Sequence, residues 1–566
     1  MKKFYSIMIT VALILNLFAI VTVGGSATPI EENKIINHLE DLSAEQLAEL
    51  TSNEASYYVS VFIEFDYPEM DRSTLQNLDR PARNDAIEAY YYPRNLAIAQ
   101  ELGLSADAVS SYTPFAELQY STVAEYEAQE TFIYSLAESE AVKDIEIAVL
   151  QGEQEEGTRN ISPYVSSYSL EQVFTDIGNE DNSFKGEGIK VGVLEGDFLS
   201  DGSHILTEKL HSLDGGVVDG TSPNHADKVT YLLGGLYGVA TDVSFYVKAY
   251  SNSWKESIEC LIAENVDIIN ASMGYNLPIG YDNLSAYTDY IIDVTGCLLV
   301  KSAGNNGDAV NQDYHTYISS PGSSANCITV GATDKNKRVL YRSSYYTPTE
   351  GLSKPDLVAP GGKFEFLPQI INEGLSATSY AAPIVTGIAA RLMDEFPTLL
   401  TKPYLLKAVL LASCVQLPGQ VNEHDEYAGA GLVNYARART IMQQGTYGYF
   451  EKMPDLSNGE FLTSFEIQKT ADTTVNIHFA QQIPGAYSAN PIFTSATLLF
   501  SKFSFIPTAF PNGNSSCFVN STNTGSIPLP NNGAFTYYYV DVYLEEDALP
   551  EDYETVAYAY TLEPSD

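Results

Sequence analysis

With 566 residues and 45% hydrophobic content, the chain is too long for one ordinary domain and has enough apolar residues to build real cores. A formal net charge of −43 excludes nucleic acid and anionic membranes as partners and suits a soluble protein in contact with its medium. The five cysteines, Cys260, Cys297, Cys327, Cys414 and Cys517, lie far apart with no CxxC pair, which excludes a metal knuckle and a disulfide framework; the odd count leaves at least one free thiol.

Lys2 and Lys3 precede an apolar run over 7–23, and Gly25-Ser26-Ala27 supplies the small residues that a cut after Ala27 needs. Residues 1–27 read as a signal peptide, and no later stretch is long and apolar enough to span a membrane. The expected location is secreted or extracellular. Residues 28–157 predict strands over 56–65, 117–126 and 142–150, a long helix over 79–102 with apolar residues at helical spacing, and a short helix over 130–139. The order β-α-β-α-β predicts a small α+β domain. It closes with Gln151-Gly152-Glu153-Gln154-Glu155-Glu156-Gly157, a polar, acidic linker of the kind proteases reach, which predicts maturation between Leu150 and Asn160.

Residues 160–445 change character. Short apolar strands over 189–194, 243–249, 266–271, 297–302, 327–332 and 356–359 are separated by helices over 170–177, 225–233, 253–265, 284–294, 378–394, 404–413 and 435–443. Near-continuous apolar strands between helices predict an α/β domain, a parallel sheet covered on both faces. Ligands of such sheets lie beyond the carboxyl ends of the strands. Residues 446–566 lose the helices. Alternating runs over 460–469, 473–480, 496–505, 536–545 and 553–562 predict a β-sandwich or jelly-roll domain.

The stretch Ala377-Thr378-Ser379-Tyr380-Ala381-Ala382-Pro383 reads as a tight turn feeding a buried helix, with Thr378 and Ser379 as caps and Pro383 in the first turns. A hydroxyl there sits among free N–H groups that favour negative charge, as the oxyanion formed by attack on a carbonyl requires. Three more polar side chains fall at strand ends or helix starts: Glu195, His225 and Asn305. Asp197 follows Glu195 by two residues and is the alternative acid. A serine nucleophile needs a base, the base an orienting acid, and the oxyanion a donor, so the four types form one chemical set.

The order acid, His, Asn, Ser on a parallel sheet resembles the subtilisin-like serine peptidases, the subtilases. The Ala377–Pro383 stretch is similar to that family's Gly-Thr-Ser-Met-Ala-Ala-Pro, and further agreement lies in Asn270-Ala271-Ser272-Met273-Gly274, Ser302-Ala303-Gly304-Asn305, Lys354-Pro355-Asp356-Leu357-Val358-Ala359-Pro360-Gly361 and Gly429-Ala430-Gly431-Leu432-Val433-Asn434. The resemblance covers about 165–445. It implies Ser379 as nucleophile, His225 as general base, Asn305 as oxyanion donor, and Ser272, Met273, Gly274, Ser302, Ala303 and Gly304 along a cleft for polypeptide substrates. It implies that residues 28–157 are a propeptide that inhibits its own enzyme. The chain departs from the family pattern in having Glu195 for Asp and His225-Ala226-Asp227 for His-Gly-Thr. The expected activity is a secreted serine endopeptidase. The alternatives are a non-catalytic subtilase-like binding or surface protein, and an esterase or ligase built on the same three residues. The chemistry requires no cofactor; the many acids allow structural Ca²⁺, with no ligand set readable.

Overall fold

The computed structural model describes residues 34–48, 57–152, 168–196, 209–213, 225–307, 318–347, 352–364, 377–420, 425–450 and strands within 461–564, apart from short breaks inside these ranges. The residues read as a signal peptide, the acidic linker beyond Gly152 and Asp197 lie outside the described residues.

The first elements are β1 (Ile35–Asn37), β2 (Tyr57–Phe65), α1 (Arg80–Leu102), β3 (Phe115–Tyr120), α2 (Val123–Glu127), α3 (Glu130–Leu136) and β4 (Val142–Gly152). They form a sheet in the order β1-β4-β2-β3, in which β1 runs parallel to β4 and the other pairs are antiparallel. The helix α1 starts where Asp79 accepts a hydrogen bond from the Ala82 N–H, and stops at Gly103 in the left-handed region. The strand expected over 117–126 ends early. Thr122 caps a helix there by accepting from the Glu125 N–H, and the Glu125 carboxylate accepts from the Ser121 N–H.

The central elements are α4 (Leu170–Asp176), β5 (Lys190–Glu195), β6 (Leu210–Ser212), α5 (His225–Gly234), β7 (Ser244–Ala249), α6 (Trp254–Ala263), β8 (Ile268–Ala271), β9 (Tyr275–Asn276), α7 (Asn283–Thr295), β10 (Leu298–Ser302), β11 (Ile328–Thr333), β12 (Leu357–Pro360), α8 (Thr378–Glu395), α9 (Pro403–Ala412) and α10 (Tyr435–Gln444). Seven strands make one parallel sheet in the order β12-β11-β10-β8-β5-β7-β6. Both faces are covered. Val191, Val193, Ile268, Val300 and Val330 pack with α5 and α8, while Leu194, Ile269 and Leu299 pack with α6 and α7. Cys297, Cys327 and Cys414 are buried and form no disulfide, and burial pushes the Cys297 thiol up to about 12 and raises that of Cys414, so those two serve as small apolar groups.

The N-terminal sheet lies against α6 and α7. Alternation along β2 explains this: Val59, Val61, Ile63 and Phe65 face their own helices, whereas Tyr58 and Phe62 face Trp254, Ile258, Tyr287 and Tyr290. Polar groups close the interface. Glu117 accepts from Ser253 Oγ at 2.8 Å, and Glu146 accepts from the Asn283 N–H at 2.9 Å, both at helix starts. At the other end of α7, Arg80 donates to the Thr295 carbonyl at 3.3 Å and Arg83 to the Val294 carbonyl at 2.6 Å. Finally, β4 pairs antiparallel with β9 through Gln151 with Asn276 and Gly152 with Tyr275.

The last strands are β13 (Tyr447–Phe450), β14 (Phe461–Gln468), β15 (Thr473–Gln482), β16 (Lys502–Ala509), β17 (Gly513–Asn514), β18 (Cys517–Phe518), β19 (Thr524–Leu529), β20 (Tyr537–Glu546) and β21 (Thr555–Pro564). They form two antiparallel sheets, β13-β21-β15-β19 and β14-β20-β16-β17, with β18 on β16. Ala480, Ala557 and Ala559 of the first sheet join the same apolar cluster as Leu406 and Leu410 of α9. The small side chains let the sheet lie close against that helix.

Candidate active site

Strand parity aims Glu195. Val191 and Val193 face the α5 and α8 side of the sheet, so the last residue of β5, two positions on, faces it too. Glu195 is fully buried, and its Oε2 meets His225 Nδ1 at 2.7 Å. Its Oε1 has no hydrogen-bond partner among the described residues. The His225 contact is therefore the strong bond that offsets burial of this acid.

His225 opens α5, whose Ala226, Val229, Leu232 and Leu233 recur at helical spacing and enter the core. That face anchors the helix and leaves the His225 side chain about a quarter exposed at its N-terminus. Nδ1 is engaged by Glu195, so proton exchange at this ring runs through Nε2. Asp227 is buried inside the same helix. The ring of Tyr380, the residue after Ser379, lies 5.7 Å from that of His225, so the two helix starts meet at this point.

Ser379 is the second residue of α8 and is 4% exposed. Neither it nor Thr378 caps the helix. The N-cap is Ala377, with no side-chain cap bond. The capping role falls to Asn305, whose Oδ1 accepts from the Thr378 N–H at 2.9 Å and from Thr378 Oγ1 at 3.1 Å. These two donors fix the carboxamide and leave its Nδ2 to donate elsewhere. The Ser379 N–H belongs to the first turn, where it has no intrahelical acceptor. Thr378 Oγ1 also accepts from the Gly304 N–H at 3.1 Å. Gly304 has φ of +106°, and an added Cβ would lie 2.9 Å from Ser344 Oγ, so only glycine fits.

Pro383 lies within α8, past its first turn. A proline cannot donate to the carbonyl four residues back, which is that of Ser379. Ser272 Oγ donates to this carbonyl instead, at 2.9 Å. Asn270 in turn donates to Ser272 Oγ at 2.9 Å and accepts from Thr386 Oγ1 at 3.0 Å. The start of the 272–274 segment is thereby tied to α8 from both sides of Pro383. On the other side, 302–304 follows β10. The two segments leave adjacent parallel strands, β8 and β10.

The structure thus brings Glu195, His225, Ser379, Asn305, Ser272 and Gly304 to one end of the sheet, with Met273, Gly274, Ser302 and Ala303 beside them. The orienting roles of Thr378, Thr386 and Pro383 were not read from the sequence, although Thr378 and Pro383 lie inside the recognised motif. Among the described residues, no group of three or more His, Cys, Asp or Glu could hold a metal ion.

Residues 220–431 match the model of the Subtilase family. Subtilisin DY of Bacillus licheniformis is 28% identical over 235 residues, which is 38% of this chain and 80% of that protein. Subtilisin Savinase of Lederbergia lenta is 29% identical over 229 residues, 38% of this chain and 79% of that one. Subtilisin-like protease SBT6.1 of Arabidopsis thaliana is 26% identical over 230 residues, covering 36% of this chain and 21% of its own length. Among solved structures, fervidolysin from Fervidobacterium pennivorans covers 84% of this chain and 69% of its own, with 17% identity and a TM-score of 0.45.

Proposed function

The chain is a subtilisin-like serine peptidase, a hydrolase of the endopeptidase type, and from that premise we propose that it is a secreted precursor whose triad is Ser379, His225 and Glu195. The observation that carries this reading is the 2.7 Å bond between His225 Nδ1 and the buried Glu195 carboxylate.

In this mechanism a polypeptide lies along 272–274 and 302–304. Ser379 Oγ attacks the scissile carbonyl as His225 Nε2 takes its proton, and Glu195 stabilises the imidazolium through Nδ1–H. Asn305 Nδ2 and the Ser379 N–H donate to the oxyanion. The tetrahedral intermediate collapses to an ester on Ser379, and the leaving amine takes the proton from His225. Water then attacks the ester by the same route, returning Ser379 and releasing the acid. No cofactor takes part in these steps. Residues 28–157 act as the inhibitory propeptide, an assignment supported by the wide contact with α6 and α7 and by the pairing of β4 with β9, which adjoins the 272–274 segment. Cleavage in the linker after Gly152 begins maturation.

The test is the Ser379→Ala variant with a fluorophosphonate probe. The unaltered protein is expected to label on Ser379 and to hydrolyse casein, and the variant to do neither. Hydrolysis that survives Ser379→Ala refutes the nucleophile. Failure of the unaltered, matured protein to label favours a non-catalytic subtilase-like binding protein.

A further inference from the structure

One aromatic side chain stands against the triad without a part in the mechanism above. Tyr380, directly after Ser379, is 1% exposed, and its ring lies 5.7 Å from that of His225 with the two planes inclined by 32°. An edge-on pair would stand near a right angle; at 32° the two faces are turned toward each other, in the offset arrangement that aromatic pairs favour. The Tyr380 ring is itself supported. Phe364 meets it edge to face at 6.4 Å and 82°, and Tyr168 stacks on Phe364 at 5.7 Å and 23°. Backbone bonds fix this series. The Tyr168 N–H donates to the Lys363 carbonyl at 2.6 Å, and the Tyr168 hydroxyl donates to the Asp334 carbonyl. The N–H of Ala377, the N-cap of α8, donates to the Gly361 carbonyl at 2.9 Å. The run 361–364 therefore holds both the start of α8 and the ring carried by its first turn.

A bond at Nδ1 and a contact with the ring face do different things. The Glu195 carboxylate, at 2.7 Å, fixes where one edge of the imidazole lies, but a hydrogen bond tolerates rotation of the ring about its own line. Glu also has one more rotatable bond than Asp, so the acid defines the ring less tightly. A flat aromatic face against the imidazole defines its plane. The same face carries a negative quadrupole, which attracts the imidazolium formed when His225 takes the Ser379 proton more than it attracts the neutral ring. The family pattern has Met at this position, a flexible side chain with no flat face and no such quadrupole.

We propose that Tyr380 is a positioning residue for this peptidase: its ring fixes the plane of the His225 imidazole and favours the imidazolium during transfer of the Ser379 proton. The proposal rests on the triad proposed above. The charged groups placed about His225 are Glu195 on β5, and Asp227 and Lys228, which follow it on α5. Lys248 of β7 alternates with Val247 and so belongs to the opposite face of the sheet. The helix α8 carries no charged residue before Arg391. None of these groups changes when Tyr380 is replaced.

The experiment uses the full chain, matured on its own, with one peptide amide assayed across pH. Tyr380→Met removes the ring and keeps an apolar side chain. It is expected to lower kcat about 2- to 30-fold, the range for a cation on an aromatic face, with KM within about twofold. Without the face the imidazolium is less favoured and His225 gives up its proton more readily. The acid limb of kcat/KM should therefore move to lower pH, by about 0.4–1.5. Loss of packing alone would lower kcat and leave that limb in place. Tyr380→Phe restores the face and is expected to bring kcat within about threefold of the unaltered enzyme and the limb back to its original pH. Two results, in protein whose Ser379 labels with the fluorophosphonate, would overturn the proposal and leave the triad standing: an unmoved acid limb in Tyr380→Met, or Tyr380→Phe as impaired as Tyr380→Met. Should Tyr380→Met fail to fold, Phe364→Leu decides. It keeps Tyr380 and withdraws the edge that supports it, so a smaller loss of kcat with the limb moved in the same direction is expected, and no movement overturns the proposal. Failure of the unaltered enzyme to label on Ser379 would overturn both readings.

Discussion

Replacing Glu195 by Gln keeps the volume and reach of the side chain and removes only its charge. The carboxylate is fully buried, touches His225 Nδ1 at 2.7 Å, and has no partner on Oε1 among the described residues. A hydrogen bond to an ionised group contributes about 1.5–3 kcal/mol, so losing the charge alone costs about 10- to 150-fold in rate. The tautomer adds more. The new amide can present an N–H to Nδ1, which moves the histidine proton to Nε2, the atom that must accept from Ser379. The corresponding swap in the Ser-His-Asp template, on another fold, lowers kcat about 10⁴-fold, and that borrowed figure is the upper expectation here. Shortening the side chain instead, with Glu195→Asp, withdraws the carboxylate by about one C–C bond, about 1.5 Å. The 2.7 Å contact then opens beyond hydrogen-bond reach, and a loss nearer the lower figure follows, even though Asp is the residue typical of the family. The assay is kcat and KM on a peptide amide, with the rate of fluorophosphonate labelling read in parallel. If Glu195→Gln keeps more than about a fifth of kcat/KM, Glu195 is not the orienting acid and Asp197 takes its place.

Three further outcomes follow from other contacts. Asn305→Leu should lower kcat by about 10²–10³ with KM nearly unchanged, a magnitude taken from an oxyanion donor in a subtilisin rather than worked from this chain; a change confined to KM would remove Asn305 from the oxyanion site. Asp282 is buried beside Glu146 at the interface of the first sheet, and burial, then the Glu146 charge, pushes its carboxyl up to about 6. The folded state thus holds this proton where the unfolded chain has lost it, so stability falls as pH rises from about 4 to about 6, by up to about 3 kcal/mol. Asp282→Asn keeps an acceptor for the Ser285 N–H that the Asp282 side chain now serves, and should raise Tm near neutral pH but not around pH 4; an equal shift at both would refute the linkage. Asp356 bridges Lys354 at 2.6 Å and Lys407 at 2.8 Å in the core. Burial pushes its carboxyl up, but the two ammonium groups outweigh this and hold it below the usual range. Asp356→Asn leaves two buried cations facing each other and should cost about 3–5 kcal/mol in urea unfolding; a loss under about 1 kcal/mol would show that the lysines find other partners.

Six of the seven strands of the parallel sheet could be read from the sequence because each is a largely apolar run, as 298–300 shows, whereas β6, Leu-His-Ser at the sheet edge, is neither apolar nor buried and was missed. The candidate set could be assembled from the sequence because Ser379 sits in a compact local motif. What escaped reading was what distant segments do to one another. β9 has two residues, and its pairing with β4 depends on a strand more than a hundred residues earlier. The cap of α8 looked local, with Thr378 and Ser379 at hand, yet the acceptor is Asn305, 73 residues away. Nothing local to Lys301 says that Gly274 and Ser319 close around its ammonium. The helix at Val123–Glu127 is a different case. Its signal, Thr122 with Glu125 three residues on, was present and was outweighed by the alternation that precedes it.

The alanine face packed on α9 has a consequence for how the protein is made. The strand that brings Ala557 and Ala559 to that helix is β21, which also pairs with β13 and β15 on either side. All of 413–554 separates it from the helix it covers. Leu406 and Leu410 must therefore wait through the synthesis of that whole stretch before their cover arrives. Loop closure over such a span is slow compared with helix formation. During that interval the peptidase domain presents a greasy flank to everything around it. Assistance during synthesis, or completion fast enough to outrun self-association, is thus a condition of yield, set by where one strand falls in the order of the chain.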